Sequence, residues 1–289
     1  MTIALSLSVS ASLAQMPPPT EDDAHAFPAQ DHYSPYAGRG FPTNVYWGDT
    51  HLHTGMSMDA GAFGARLLPE DAHRFARGEE ITSSTGQRVK LSRPLDFLVV
   101  ADHSDNMGFF PRLAAGDPKM LADPTGRRWY DMVQAGGQDA VGAAVEIIQS
   151  LTMNTMPEAL AILPGSDVYR AAWEVSLDAA EKYNEPGHYT ALHGYEWTST
   201  ENGINRHRVV IYRDDADKAS ILVPYSTVPP LGSPDERDLW KWMSFYEDKT
   251  GGRILAIAHN GNLSNGAMFP VADTFTGKKY DRAWAEERS

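Results

Sequence analysis

The stretch Gly48-Asp49-Thr50-His51-Leu52-His53-Thr54 carries side chains able to do metal chemistry. On an extended chain Asp49, His51 and His53 share one face, and neutral imidazole is the commonest metal-binding side chain. An H-x-H pair alone is a weak signal. Three further segments strengthen it: residues 94–101 lead into Asp102-His103, residues 189–198 carry Glu196, and residues 253–258 lead into His259. His207 stands at the entrance to another strand-like run, residues 205–212. For any one of these a satisfied polar residue in a core or loop is the ordinary explanation. Their recurrence at equivalent positions of successive strands is not explained that way. Histidine and carboxylate ligands without thiolate suit zinc, manganese or ferrous iron. There are more candidate ligands than one tetrahedral ion can use, so a cluster of two or three divalent ions is expected. Such clusters lower the pKa of a bound water and clamp the attacking and leaving oxygens of an in-line displacement. A small anionic ester, phosphate or sulfate, is the substrate that suits this chemistry.

The elements that must position these residues can be read from pattern. Residues 44–47 (Asn-Val-Tyr-Trp) are rich in β-formers and predict a short strand ahead of the histidine pair. Residues 94–101 form a near-continuous apolar run, as in a strand buried on both faces of a parallel sheet. Polar residues massed at the C-terminal end of such a strand are where α/β barrels place their chemistry. Residues 69–78 predict a helix, with Pro69 in its first turn and Gly78 ending it; His73, among charged neighbours, is expected to be a solvated surface residue. Residues 107–188 are long and mostly helical in pattern, with apolar spacing over 138–151 and 166–183, and are expected to form a cap over the site. Their aromatics Trp129, Tyr130 and Trp173 either line a substrate pocket or pack the cap's own core. His193 has opposite parity to Glu196 and is expected to be structural, packed against a helix. Residues 214–234 read as a loop. Residues 235–250 read as a helix capped by Asp235 and ended by Gly251-Gly252.

Composition limits the partners. The chain has 289 residues, 42% hydrophobic and 22% charged, with a formal net charge of −13. That sign argues against nucleic acid or an anionic membrane surface. It does not argue against a small anionic substrate, because bound cations invert the local sign of a site. There is no cysteine, which excludes thiolate ligation and fits an exported protein. Residues 3–14 are apolar and small, with Ser-Ala-Ser-Leu-Ala at 10–14 offering a small-x-small cleavage pattern, so residues 1–15 read as the end of a signal peptide. The protein is expected to be periplasmic or secreted. Residues 16–43, rich in proline and acidic groups, read as a linker. No other stretch approaches the roughly 20 apolar residues that span a bilayer.

The combination His51-Leu52-His53-Thr54 with Ser57 and Asp59, then Asp96-Phe97-Leu98 to Asp102-His103, Gly194-Tyr195-Glu196, His207, and Ile257-Ala258-His259 resembles the successive motifs of the PHP (polymerase and histidinol phosphatase) superfamily. The wording Tyr46-Trp47-Gly48-Asp49-Thr50-His51 and Ala101-Asp102-His103-Ser104-Asp105-Asn106 resembles more closely a secreted bacterial branch catalogued as a domain of unknown function. The resemblance covers about residues 44–289. It implies an α/β fold, a distorted (β/α)7 barrel with a trinuclear metal site, and hydrolysis of phosphoesters. It further implies that His51 and His53 hold one ion, that Glu196 bridges two, and that His103, His207 and His259 serve the others. Asp59 stands where these proteins put a histidine or an acid that can also ligate. Asp102 is expected to orient a neighbouring imidazole. Arg206 and Arg208 flank His207, where one could hold a substrate's anionic oxygens, surface ion pairs being the ordinary alternative.

One departure stands out. The PHP pattern closes with a late Asp-x-His, whereas only Asp273 and Asp281 follow His259, in segments that do not read as strands. Five barrel strands are readable, not seven. The barrel is therefore expected to be incomplete at the C-terminus, and the chain to be a partial domain of impaired activity. Two other readings remain open at this level: an amidohydrolase-like enzyme acting on a carbon ester or amide, and a non-catalytic secreted metal-binding protein.

Overall fold

The structure is a computed structural model. It describes residues 44–153 and 155–269, together with Ala272, Gly277, Lys279 and Arg282. The expected signal segment 1–15, the linker up to residue 43, and Asp273 and Asp281 lie outside the described residues.

The chain alternates helix and sheet. Strand β1 (Gly48–Leu52) is followed by helices α1 (Met58–Ala62) and α2 (Pro69–Ala76), the short hairpin β2 (Ile81–Thr82) and β3 (Arg88–Val89), and β4 (Phe97–Val100). Helices α3 (Phe109–Ala114), α4 (Pro118–Ala122), α5 (Pro124–Ala135), α6 (Gly137–Thr152) and α7 (Asp167–Tyr183) fill the long excursion. Then come β5 (Thr190–Leu192), β6 (Gly194–Trp197), β7 (Arg208–Tyr212), helices α8 (Ala216–Ala219) and α9 (Glu236–Thr250), and β8 (Ile254–Ala258). The strand expected at residues 44–47 begins instead at Gly48, so the histidine motif is itself the strand. Glycine is required there, because a Cβ on Gly48 would sit 2.4 Å from the Phe97 carbonyl oxygen.

Strands β1, β4 and β5 form a parallel sheet in that order, and β6, β7 and β8 form an antiparallel one. The two are joined. Phe97 pairs with Thr190, and further along the same two segments His103 pairs with Glu196, both parallel and in one register. The Glu196 amide donates to the Asp102 carbonyl and the Ser104 amide to the Glu196 carbonyl, completing that ladder. Residues 190–197 thus act as one strand interrupted at His193. Strand β7 departs from a strict (β/α) alternation: the segment from β6 to β7 is too short for a helical crossover, so β7 returns antiparallel. Among the described residues β1 and β8 remain the outer strands, and no closed barrel forms.

Strand alternation sorts the side chains into two layers. Leu98, Val100 and Ala191 pack outward with Ala76 of α2, Ala180 of α7 and Tyr189. Tyr195, Trp197, Val210 and Tyr212 also face the helical layer, where Trp173 of α7 meets Tyr212 at 5.8 Å and Tyr195 at 6.2 Å between ring centroids. The opposite face holds Val99, Ala101, Val209 and Ile211 with Leu192 against them. Trp129 and Trp173 are buried in the helical core, Nε1 of each donating to Glu146 and to the Ala219 carbonyl. Both pack within the core. His193 faces α7, its Nε2 3.0 Å from Glu181 Oε1, the structural role expected for it.

His73 overturns its expected solvated role. It is buried, 1% exposed, with Nδ1 2.8 Å from the Tyr189 hydroxyl. Helix α2 packs against α7, and that packing covers the face carrying His73. Burial, with a smaller contribution from His193, pulls its pKa down to about 4. The folded chain therefore holds His73 neutral where the unfolded chain would protonate it. Stability is full above pH 6.5 and falls as pH drops toward 4, by roughly 3 kcal/mol from this group. Urea unfolding at pH 7 and 4.5 should show that loss, and His73→Gln should remove this contribution to it.

Candidate metal centre

The strand directions bring the candidate ligands to one end. Strands β1, β4, β6 and β8 present their C-terminal ends there, and antiparallel β7 presents its start. The same alternation that puts Val99 and Ala101 on the inner face puts His103 there. Glu196 follows Leu192 and Gly194; His207 precedes Val209 and Ile211; His259 follows Leu255 and Ile257. Gly194 must be glycine, since a Cβ would lie 2.4 Å from Val99 Cγ1.

The five imidazoles of His51, His53, His103, His207 and His259 form a closed ring. Centroid separations run 5.0 Å from His51 to His53, 4.7 Å to His103, 5.2 Å to His207, 5.7 Å to His259 and 4.9 Å back to His51. All five place a ring nitrogen near the Glu196 carboxylate. His51 Nε2 is 3.1 Å from Oε1, His103 Nδ1 3.0 Å and His53 Nε2 3.4 Å from Oε2, and His207 Nδ1 3.6 Å and His259 Nε2 4.0 Å from Oε1. Asp59 joins on the other flank, Oδ1 3.1 Å from His53 Nδ1 and Oδ2 3.6 Å from His103 Nε2.

Glu196 is fully buried, yet among the described residues neither of its oxygens has a partner in hydrogen-bonding geometry. The imidazoles stand at hydrogen-bonding distance but are turned so that N–H and lone pair do not align. A buried carboxylate in that condition is costly unless a cation meets it. Three groups of residues could each hold a metal ion: His51, His53 and Glu196; His53, Asp59 and His103; and His103, Glu196 and His207. The donor set of imidazole nitrogen and carboxylate oxygen fits zinc, manganese or ferrous iron.

Without metal, the charges pair with one another. Burial pushes the carboxyl of Glu196 up, but the imidazoles of His103, His207 and His51 outweigh it and hold it well below the usual carboxylate range. The same opposition holds Asp59 low, through His103 and His53. Burial pulls His103 down while Asp59 and Glu196 more than reverse it, so its pKa is raised. His51 is raised chiefly by Glu196, and His207 is lowered by burial.

Three other expected site residues point elsewhere, for one reason. Asp102, Arg206 and Arg208 have the opposite parity to His103 and His207 and project into the outer layer. Asp102 is buried; its carboxylate accepts from the Thr54 amide at 2.5 Å and the Thr54 hydroxyl at 2.7 Å, fixing the turn after β1, and among the described residues it bonds to no imidazole. The Arg206 guanidinium pairs with Glu236 at the start of α9, 2.7 Å away and equally buried, and reaches Glu201. The Arg208 guanidinium donates to the carbonyls of Arg206, His207 and Met268. Both arginines are committed to framework. Asp105, unremarked by pattern, ties the 214–234 loop to the site's edge by accepting from the Thr227 amide and hydroxyl.

The chain matches, over residues 40–289, the family described as "Protein of unknown function (DUF3604)", and it belongs to that family. Comparison with curated proteins and with solved structures gives no match.

Because metal must displace protons from His51 and His103, zinc uptake should release protons into lightly buffered solution and weaken as pH falls. Elemental analysis of the purified chain is expected to find two or three equivalents of zinc, manganese or iron, and less in His103→Ala and in His259→Ala.

Proposed function

We propose that this is a metal-dependent ester hydrolase, of the PHP type in its ligand plan, acting on a phosphate monoester, a phosphodiester or a sulfate ester. The observation that carries the reading is the ring of five imidazoles around a buried Glu196 neither of whose oxygens accepts a hydrogen bond among the described residues. Two or three divalent ions in such a donor set supply a hydroxide nucleophile near neutral pH and offset the charge of an anionic ester in displacement.

The chain's own residues perform the remaining tasks. His51 and His53 would serve one ion. Glu196, with an oxygen toward each side of the ring, would contribute its carboxylate to the ions on either side. His103, Asp59, His207 and His259 complete the other positions. The apolar floor of Val99, Ala101, Val209 and Ile211 excludes water from beneath, which keeps the carboxylate's field strong. The helical excursion and the loop tied down through Asp105 would set which alcohol group fits. Export to the periplasm or beyond remains the reading of the first fifteen residues.

A second reading is favoured by one observation. Arg206 and Arg208 are held by Glu236 and by backbone carbonyls, so neither supplies the guanidinium expected for a phosphate. That leaves hydrolysis of a carbon ester or amide open to the same site. Assays on aryl phosphates, bis-aryl phosphates, aryl sulfates and aryl acetates with zinc or manganese separate the two. Turnover of the phosphorus or sulfur esters is expected, falling at least about 100-fold in Glu196→Gln. Turnover of acetates alone would move the assignment to carbon, and none in a metal-loaded chain would leave a metal-binding protein.

A further inference from the structure

Each histidine of the ring has two nitrogens, and only one can face an ion. Which one does so is set by what holds the other. Around the cluster, three hydroxyls stand at hydrogen-bonding distance from ring nitrogens. Ser57 Oγ lies 2.7 Å from His53 Nδ1, Thr198 Oγ1 2.9 Å from His103 Nδ1, and Thr200 Oγ1 2.9 Å from His207 Nε2.

The hydroxyl protons are already placed. Ser57 donates to Asp59 Oδ1 at 2.8 Å, Thr198 to the Glu196 carbonyl at 2.9 Å, and Thr200 to the Thr198 carbonyl at 3.4 Å. Toward the imidazoles the Ser57 and Thr198 oxygens can therefore only accept, and the nitrogens facing them carry the proton; Thr200 stands in the same relation to His207, its other contact being the longer one. His259 follows the same plan without a hydroxyl, its Nδ1 standing 2.9 Å from the Asn260 carbonyl oxygen.

We infer that Ser57, Thr198 and Thr200 are positioning residues that select the metal-binding nitrogen of His53, His103 and His207. They leave Nε2 of His53 toward Glu196, Nε2 of His103 toward Asp59, and Nδ1 of His207 toward Glu196. The assignment also resolves a conflict. His53 and His103 each belong to two of the three possible ligand groups. With their Nδ1 atoms protonated, His53 serves the Glu196 side and His103 the Asp59 side. Thr198 and Thr200 follow Glu196 closely in the segment that leaves β6, so one stretch of chain supplies both the central carboxylate and two of the hydroxyls.

This inference rests on the metal reading for its use, and its test separates the two. Thr200 is chosen because its partner nitrogen on His207 has no carboxylate competing for it among the described residues. Zinc binding by the full chain is titrated calorimetrically for wild type, Thr200→Val and Thr200→Ser. Nitrogen-15 imidazole spectra of the zinc-loaded and metal-free chains read the His207 tautomer. The expected result is an Nε2–H tautomer in the wild type, zinc affinity about 10- to 100-fold weaker in Thr200→Val, and recovery to within about threefold in Thr200→Ser. Unchanged thermal unfolding of metal-free Thr200→Val would exclude a merely structural effect. An Nδ1–H tautomer at His207, or zinc binding in Thr200→Val equal to wild type, would overturn the inference. If wild type takes up no zinc the metal reading fails, and the metal-free tautomer still decides the hydroxyl's role: Nε2–H supports it and Nδ1–H overturns it.

Discussion

A carboxylate taken fully out of water must be met by positive charge, and the site is built around that requirement. Glu196 sits in a strand whose neighbours on both sides are strands, beneath a ring of imidazoles, with no hydrogen bond to either oxygen among the described residues. In the metal-free chain, protons on the histidines supply the charge. A divalent ion held there would supply more of it, at shorter range. Everything else follows from holding five rings around that one group: the parallel ladder that sets His103 opposite Glu196, the antiparallel return that brings His207 back to the same end, and the turn after β1 that Asp102 fixes through Thr54.

The framework around the site is polar as well as apolar, and the two parts do different work. On the outer face, aromatic rings of α7, β6 and β7 pack together, Trp173 edge to face with Tyr195 and tilted against Tyr212, and tie the helical excursion to the sheet. Between β7 and α9, Arg206 and Glu236 form a buried pair. Removing one partner of such a pair typically costs about 3–5 kcal/mol, since the other is left as an uncompensated charge. The arginines therefore keep β7, and with it His207, in register.

Much of the candidate site was legible in the sequence, because histidines and acids at the ends of apolar runs are a pattern that strand geometry explains. That pattern marks His51, His53, His103, Glu196, His207 and His259, the resemblance to the PHP motifs adds Asp59, and the structure brings all seven together. What went astray did so by parity. Asp102 beside His103, and Arg206 and Arg208 beside His207, occupy alternate positions and face the other layer; counting by twos from the histidines would have shown it. The same count from Glu196 reaches Thr198 and Thr200, which pattern reading passed over because hydroxyls carry no charge. His73 was misjudged because the charges flanking it on α2 say nothing of α7, which approaches from far along the chain. The direction of β7 was not readable from composition, only from the shortness of its link to β6.

The central claim is that the imidazole ring and Glu196 hold divalent ions together rather than merely neutralising one another. The most direct measurement is anomalous diffraction from crystals grown with zinc or manganese, recorded on both sides of the metal's absorption edge. At least two strong peaks are expected inside the ring, with the Glu196 carboxylate between them. A well-ordered ring with no anomalous density beside Glu196, at saturating metal and neutral pH, would contradict the claim.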